Sequence, residues 1–223
     1  AGPAFEGARI SCGMRGAPGA IDHVSVEDGK LKLHVIGDGI PTGICGSGLL
    51  DLVACLLDLG IISKRGRLEK PAKWPDELKE TYGVRFVTRN NVSALLLTDD
   101  ENGIYLSQKD IREVQLAKAA IASGIELLCQ EMKVSDTDIS QVLLAGAFGT
   151  YLSPKSACRI GLIPEPLLDR IRAIGNAAGE GAKLAACSRT VLEQSQHLAK
   201  QTHFVELATS RPVSYTHLRA HET

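Results

Sequence analysis

The sequence predicts an α/β protein, and three stretches of it carry the prediction. Apolar and polar residues alternate on either side of Asp28-Gly29, a capped amphipathic stretch begins at Ser107, and the continuous apolar run QVLLAGAFG follows it. Strand and helix signals therefore alternate along 223 residues, enough chain for one sizeable core or two small ones.

In HVSVEDGKLKLHVIG, from His23, Asp28-Gly29 accepts the positive φ angles of a tight turn, which predicts a two-stranded hairpin. After the Gly-rich turn GICGSG, the run Leu49 to Leu59 has helical apolar spacing and stops at Gly60. A loop rich in Lys and Pro reaches to about Asp76. Ser107 and Asp110 then form an S-x-x-D capping box for a long helix whose apolar face is Ile111, Val114, Ala117, Ile121, Ile125 and Leu128. Ser135 with Asp138 repeats the cap for a short helix, and QVLLAGAFG follows as a strand. The last elements expected are a helix from about Glu165 and one long helical stretch from near Asn176 to about Gln201.

Composition excludes several functions. Twenty-five basic residues balance twenty-six acidic ones, with no basic footprint for nucleic acid. The longest apolar stretch, from Gly48, is broken by Asp51 and Asp58 and is too short to span a bilayer. The six cysteines (Cys12, Cys45, Cys55, Cys129, Cys158 and Cys187) form no C-x-x-C pair and no spacing suited to zinc or an iron-sulfur cluster. Free thiols in a reducing cytoplasm are expected. Both ends look non-native: the chain opens on AGPAFEG without an initiator Met, so a longer parent is expected upstream. VSYTHLRAHET, from Val213, matches the conceptual translation of a sequencing-library adapter, the alternative being a native polar tail. The division expected is residues 1–210 as the domain and 211–223 as the appended segment.

Small residues mark the candidate sites. Gly146, Ala147 and Gly149 around Phe148 would let a ligand approach backbone at the end of a strand, or would simply serve a turn and close packing. Gly46, Ser47 and Gly48 open a helix and could face an anion, although GICGSG matches neither G-x-x-x-x-G-K-[ST] nor G-x-G-x-x-G. Cys45 beside them has no base partner in sequence and reads as a small buried thiol. Gly2 and Pro3 read either as a third such turn, preceding a helix whose first turn includes Glu6, or as a frayed end. On the long helix Asp110 lies on the apolar side, with Glu113 at its margin and Lys118 at the other edge, open either to ligand binding or to capping and snorkelling. Gly175, Ala178, Gly179 and Ala182 form a small-residue stripe for close helix packing or an interlobe hinge.

The order of these features resembles the second lobe of the actin, sugar-kinase and heat-shock-chaperone ATPase superfamily, a ribonuclease H-like fold. AGPAFEGARISCGMRGAPGAID, GICGSGLLDLV, LSQKDIREVQLAKAAIASGI, LLAGAFGTYL, IGLIP and IGNAAGEGA are closer still to the C-terminal ATPase domain of ATP-dependent reductive activators of corrinoid enzymes, over about residues 1 to 207. The resemblance implies a cytoplasmic protein that uses ATP with Mg2+ to restore oxidised corrinoid cobalt(II) to cobalt(I). Its electron would come from an iron-sulfur cluster in a separate N-terminal domain, and its partner would be a corrinoid protein or corrinoid-dependent methyltransferase; a homodimer is compatible with it. It implies that Gly146, Ala147, Phe148 and Gly149 form the adenosine turn, that Gln108, Lys109, Asp110 and Glu113 lie on the helix facing it, and that Gly2 to Glu6 approach the terminal phosphates. The superfamily's D-x-G-T hairpins and the ferredoxin cysteines are absent from these residues, so the domain is expected to be incomplete at both ends and inactive alone. The rivals are an activator of an acyl-CoA dehydratase or another kinase-like ATPase of the superfamily, and a scaffold domain that binds no nucleotide.

Overall fold

The computed structural model describes residues 2–98 and 103–206, so the appended segment expected at 211–223 lies outside the described residues. Strand β1 (Ala20–Glu27) pairs antiparallel with β2 (Lys30–Val35), and Glu27 opposite Lys30 closes the predicted hairpin. Asp28 and Gly29 both have positive φ, 49° and 72°, as a two-residue turn between right-twisted strands requires. On its other side β1 pairs in parallel with β3 (Gly43–Ile44), and Cys12 to Met14 bond to Ile44 beyond it. The N-terminal segment is thus fixed to the sheet.

Helix α1 (Gly46–Asp58) packs on β1 and forms the centre of the core; Leu49, Leu50, Leu52 and Leu56 are excluded from solvent. It starts three residues before the predicted Leu49 because Gly46 to Gly48 already form its first turn. It ends, as expected, just before Gly60 at φ 72°. Asp51 interrupts the apolar run and is buried, with Oδ2 accepting from the His23 ring at 3.1 Å and from the Val24 amide at 3.4 Å. The charge that breaks the hydrophobic stretch therefore clips α1 to β1.

Helix α2 (Asp76–Tyr82) leads into an antiparallel meander, β4 (Phe86–Arg89), β5 (Val92–Leu96) and β6 (Tyr105–Ser107). Its first turn uses Asn90 and Asn91 at φ 50° and 61°, a pair of left-handed residues that has the same chemistry as the first hairpin. The meander feeds α3 (Gln108–Met132), whose N-cap Ser107 makes the predicted capping box with Asp110. Ile111 and Val114 are buried as the periodicity requires. Past Ile121 the buried positions become Ser123 and Leu127, while Leu128 is 51% exposed, because the C-terminal half of α3 outruns the core.

Strand β7 (Val142–Ala145) is shorter than the run QVLLAGAFG, whose last residues instead open α4 (Gly146–Tyr151). Helix α5 (Pro154–Arg159) follows. The helix expected from Glu165 is a single 3-10 segment, Glu165–Arg170, which passes into β8 (Ile171–Gly175), parallel to β7. The final helical stretch is two helices, α6 (Ala177–Cys187) and α7 (Arg189–Gln201), broken at Ser188, whose extended backbone lets its hydroxyl cap α7. Nor does the segment after Gly2-Pro3 form a helix: Gly2, Gly7 and Arg9 all have positive φ, so it turns repeatedly. Gly179 of the small-residue stripe accommodates the Asn176 carboxamide that caps α6, and α6 packs on α7.

The start of α1 has no room for a β-carbon. One at Gly48 would stand 2.2 Å from the Ile21 carbonyl oxygen, a backbone atom held in the sheet. Gly48→Ala is expected to cost about 1–3 kcal/mol in urea unfolding, the range for overpacked interiors; an unchanged midpoint would show that α1 is free to shift away from β1.

Candidate functional site

The Phe5 and Phe148 rings stack with centroids 5.2 Å apart and planes 15° from parallel. Their contact joins the N-terminal segment to α4, and a cleft opens on each side of it. The first cleft, of about 460 Å3, lies against the start of α1 and takes in Glu6, Arg15, Cys45, Gly46, Ser47 and Tyr151. The second, of about 520 Å3, runs along β7 and takes in Ile121, Ile125, Gly146, Gly149, Leu162 and Ile163. Glu6, Ala147 and Phe148 border both. Each volume lies in the range of small-molecule sites.

The small residues of LAGAFG have separate tasks. Gly146 has φ 87°, and a β-carbon there would meet nothing within 4 Å. Glycine is required at Gly146 by the backbone turn, and the space above it stays open. A β-carbon on Gly149 would stand 3.0 Å from Leu144, so Gly149 lets α4 fold back onto β7. Ala147 is exposed between the two clefts. At Gly46 a β-carbon would reach 2.1 Å from the Phe5 carbonyl oxygen and 3.0 Å from the Phe148 ring, so the start of α1 supports both stacked rings.

The structure therefore brings Glu6, Gly46, Ser47, Gly146, Ala147, Phe148 and Gly149 together. Gly2, Pro3 and Gly48 border neither cleft, and Gly48 is consumed in packing α1 on β1. The four α3 residues also lie elsewhere. Asp110 is fully buried: Oδ2 accepts from the Ser107 amide and hydroxyl, Oδ1 from the Ser11 amide and hydroxyl. It anchors the N-terminal segment to α3. Gln108 bonds to the Leu68 amide and the Gly66 carbonyl, Lys109 is exposed, and neither it nor Glu113 borders a cleft. The α3 residues that do reach the second cleft are Ile121 and Ile125, from the predicted apolar stripe. Arg15 and Tyr151 carried no sequence signal, and Phe5 was covered only by the stretch Gly2 to Glu6; a loop in left-handed turns delivers Phe5 and Arg15.

The second cleft is walled mainly by aliphatic side chains, and Glu6 is the acidic residue shared by both. Among the described residues no three His, Cys, Asp or Glu side chains stand together as a metal site, and the six cysteines are unpaired. Burial, then the Asp51 and Asp58 carboxylates, push the Cys55 thiol up to about 11, and burial also raises Cys12 and Cys158. Those thiols are held in the unreactive protonated form. Burial lowers Lys118, whose ammonium donates to the Ile160 carbonyl at 2.6 Å, at the end of α5. Its task is to cap a helix. No helix among the described residues is long and apolar enough to cross a membrane.

The family described as the C-terminal domain of RACo, the ASKHA domain, matches residues 1–221. The corrinoid activation enzyme RamQ of Eubacterium limosum is 39% identical over 211 residues, covering 93% of this chain and 36% of its own length. The [Co(II) methylated amine-specific corrinoid protein] reductase of Methanosarcina barkeri is 27% identical over 218 residues, covering 88% of this chain and 35% of its own. The solved structure of a reductive activator for corrinoid, iron-sulfur protein matches with a TM-score of 0.85 at 31% identity, covering 99% of this chain and 35% of that one. The chain spans about a third of the length of these relatives.

The stack between Phe5 and Phe148 holds the two clefts apart. In a double-mutant cycle with Phe5→Leu and Phe148→Leu, the coupling measured by unfolding is expected at about 0.5–1.5 kcal/mol; additive single effects would mean that the rings do not support one another.

Proposed function

The chain belongs to the family of the C-terminal ASKHA domain of RACo, and on that premise we propose that it is the nucleotide-binding part of an ATP-dependent reductive activator of a corrinoid protein. The observation that carries the proposal is the open backbone at Gly146 between an aliphatic cleft and the start of a helix. An adenine ring suits the aliphatic wall of Ile121, Ile125, Leu162 and Ile163, where a flat apolar face displaces water. Phosphates suit the first cleft, where the positive end of α1 and the Arg15 guanidinium favour negative charge.

The groups the reaction would also need are not all met by these residues. The clefts share one carboxylate, Glu6, which does not make a Mg2+ cage, and the cysteines of this chain are too dispersed to hold an iron-sulfur cluster. The chemistry of the whole activator would be one-electron reduction of corrinoid cobalt(II), its substrate, to cobalt(I), with the electron supplied by an iron-sulfur cluster held outside these residues. The contribution proposed for this domain is conformational. A nucleotide held between Phe148 and the start of α1 would bias the arrangement of whatever packs against the clefts, by its difference in affinity for the two arrangements. The partner proposed is a corrinoid protein or a corrinoid-dependent methyltransferase, with a homodimer as the assembly.

Ala147→Leu adds volume to both clefts at an exposed position of α4. It is expected to weaken ATP binding to the complete activator by about tenfold or more, roughly 1.4 kcal/mol, with its melting temperature unchanged and ATP-dependent cobalt reduction falling in parallel. Unaltered ATP affinity, measured by titration calorimetry, would remove the nucleotide from these clefts.

A further inference from the structure

A second site stands at the other end of α3, with no residue in common with the two clefts. A pocket of about 310 Å3 is lined by Arg65, Gly66, Arg67, Gln108, Arg112 and Gln115. Three of its six residues are arginines and none is acidic. Arg65, Arg67 and Arg112 enter no ion pair among the described residues, in a chain whose basic and acidic residues otherwise balance. Gathering three guanidinium groups without a carboxylate raises their mutual repulsion, which a bound anion would relieve.

The pocket is built rather than incidental. Gln108, Arg112 and Gln115 lie four and three residues apart, on one face of α3. Gln108 accepts from the Leu68 amide at 2.7 Å and donates to the Gly66 carbonyl at 2.8 Å, while Gln115 donates to the Arg65 carbonyl at 3.1 Å. Within the loop, Gly66 N–H bonds to the Ser63 carbonyl and Ser63 N–H to the Arg67 carbonyl, and Ile62 bridges to Leu68. Gly66 has φ 75°, and a β-carbon there would stand 2.1 Å from the Gln115 carboxamide. Both carboxamides are therefore spent in holding the loop at one place on α3, and the arginines carried by the loop are delivered beside Arg112. Lys64 and Lys118 border the adjoining hollow, across Gly66 and Gln115.

We propose that this three-arginine pocket binds the phosphate group of a small phosphorylated molecule, independently of the nucleotide proposed for the clefts. Guanidinium groups suit tetrahedral oxyanions because each offers parallel N–H donors to two oxygens. The pocket is larger than a single phosphate ion, so a phosphate ester or a diphosphate fills it better.

The test uses the 223-residue chain with pyrophosphate as probe, titrated by calorimetry at low and fixed ionic strength. Saturable binding with a Kd of about 0.1–1 mM is expected, weakening steeply with added sodium chloride. The triple variant R65Q/R67Q/R112Q, exposed at all three positions, should lose about tenfold or more in affinity while its melting temperature without ligand stays the same or rises. With Ala147→Leu filling the clefts, the part of the pyrophosphate binding that the triple variant removes should persist, which separates this pocket from the clefts. The proposal is overturned if no saturable binding appears up to about 10 mM, if the triple variant keeps its affinity, or if citrate at matched ionic strength binds as tightly as pyrophosphate.

Discussion

Two backbone carbonyl oxygens, those of Phe5 and Ile21, lie where the β-carbons of residues 46 and 48 would stand if those residues were not glycine. Much of the molecule's organisation follows from that contact. It allows α1 to begin directly against β1, which buries its leucines and makes it the centre of the core. It also lets the N-terminal segment cross the start of α1 closely enough for Phe5 to stack on Phe148. The core and the candidate site therefore meet at the start of α1, where Gly48 serves the first and Gly46 the second.

The second organising interaction is polar. Asp110 closes the capping box of α3 with one oxygen and holds Ser11 with the other, without solvent contact. A buried carboxylate with every acceptor direction used stabilises its surroundings, whereas one left unpaired costs several kcal/mol. Through Asp110, the position of α3 and the path of the N-terminal segment are set together. Ile121 and Ile125 of that helix then reach the second cleft, while Phe5 and Arg15 of that segment reach the first.

Local chemistry made much of the fold legible in the sequence. The Asp28-Gly29 hairpin, the α1 stop at Gly60 and the Ser107–Asp110 box all form where turn and cap residues place them. Where small residues had two uses, the pattern was ambiguous: the AGAFG part of the run reads as strand continuation but begins α4, because Gly146 turns the backbone with a positive φ. The β4–β6 meander and β8 are not legible because their strands are three to five residues long, at or below the short end of the range over which alternation can be read. At the site, the glycines and Phe148 were visible as a group, but their separate tasks depend on contacts with Leu144 and Phe5 that spacing cannot reveal. Asp110 showed the opposite difficulty. A capping box and a ligand contact use the same residue type at the same position, and only the Ser11 contact shows that its oxygens are taken.

A nucleotide held as proposed, between the aliphatic cleft and the start of α1, would have its base near Phe148. Photo-crosslinking with 8-azido-ATP, followed by peptide mapping, tests this placement directly. Label is expected on the peptide holding Ala147 to Leu152 or on the α3 stretch holding Ile121 and Ile125, competed away by unlabelled ATP. Competable label confined to the loop from Lys64 to Leu68, or to the first turns of α3 around Arg112, would contradict it and move the nucleotide to the arginine pocket.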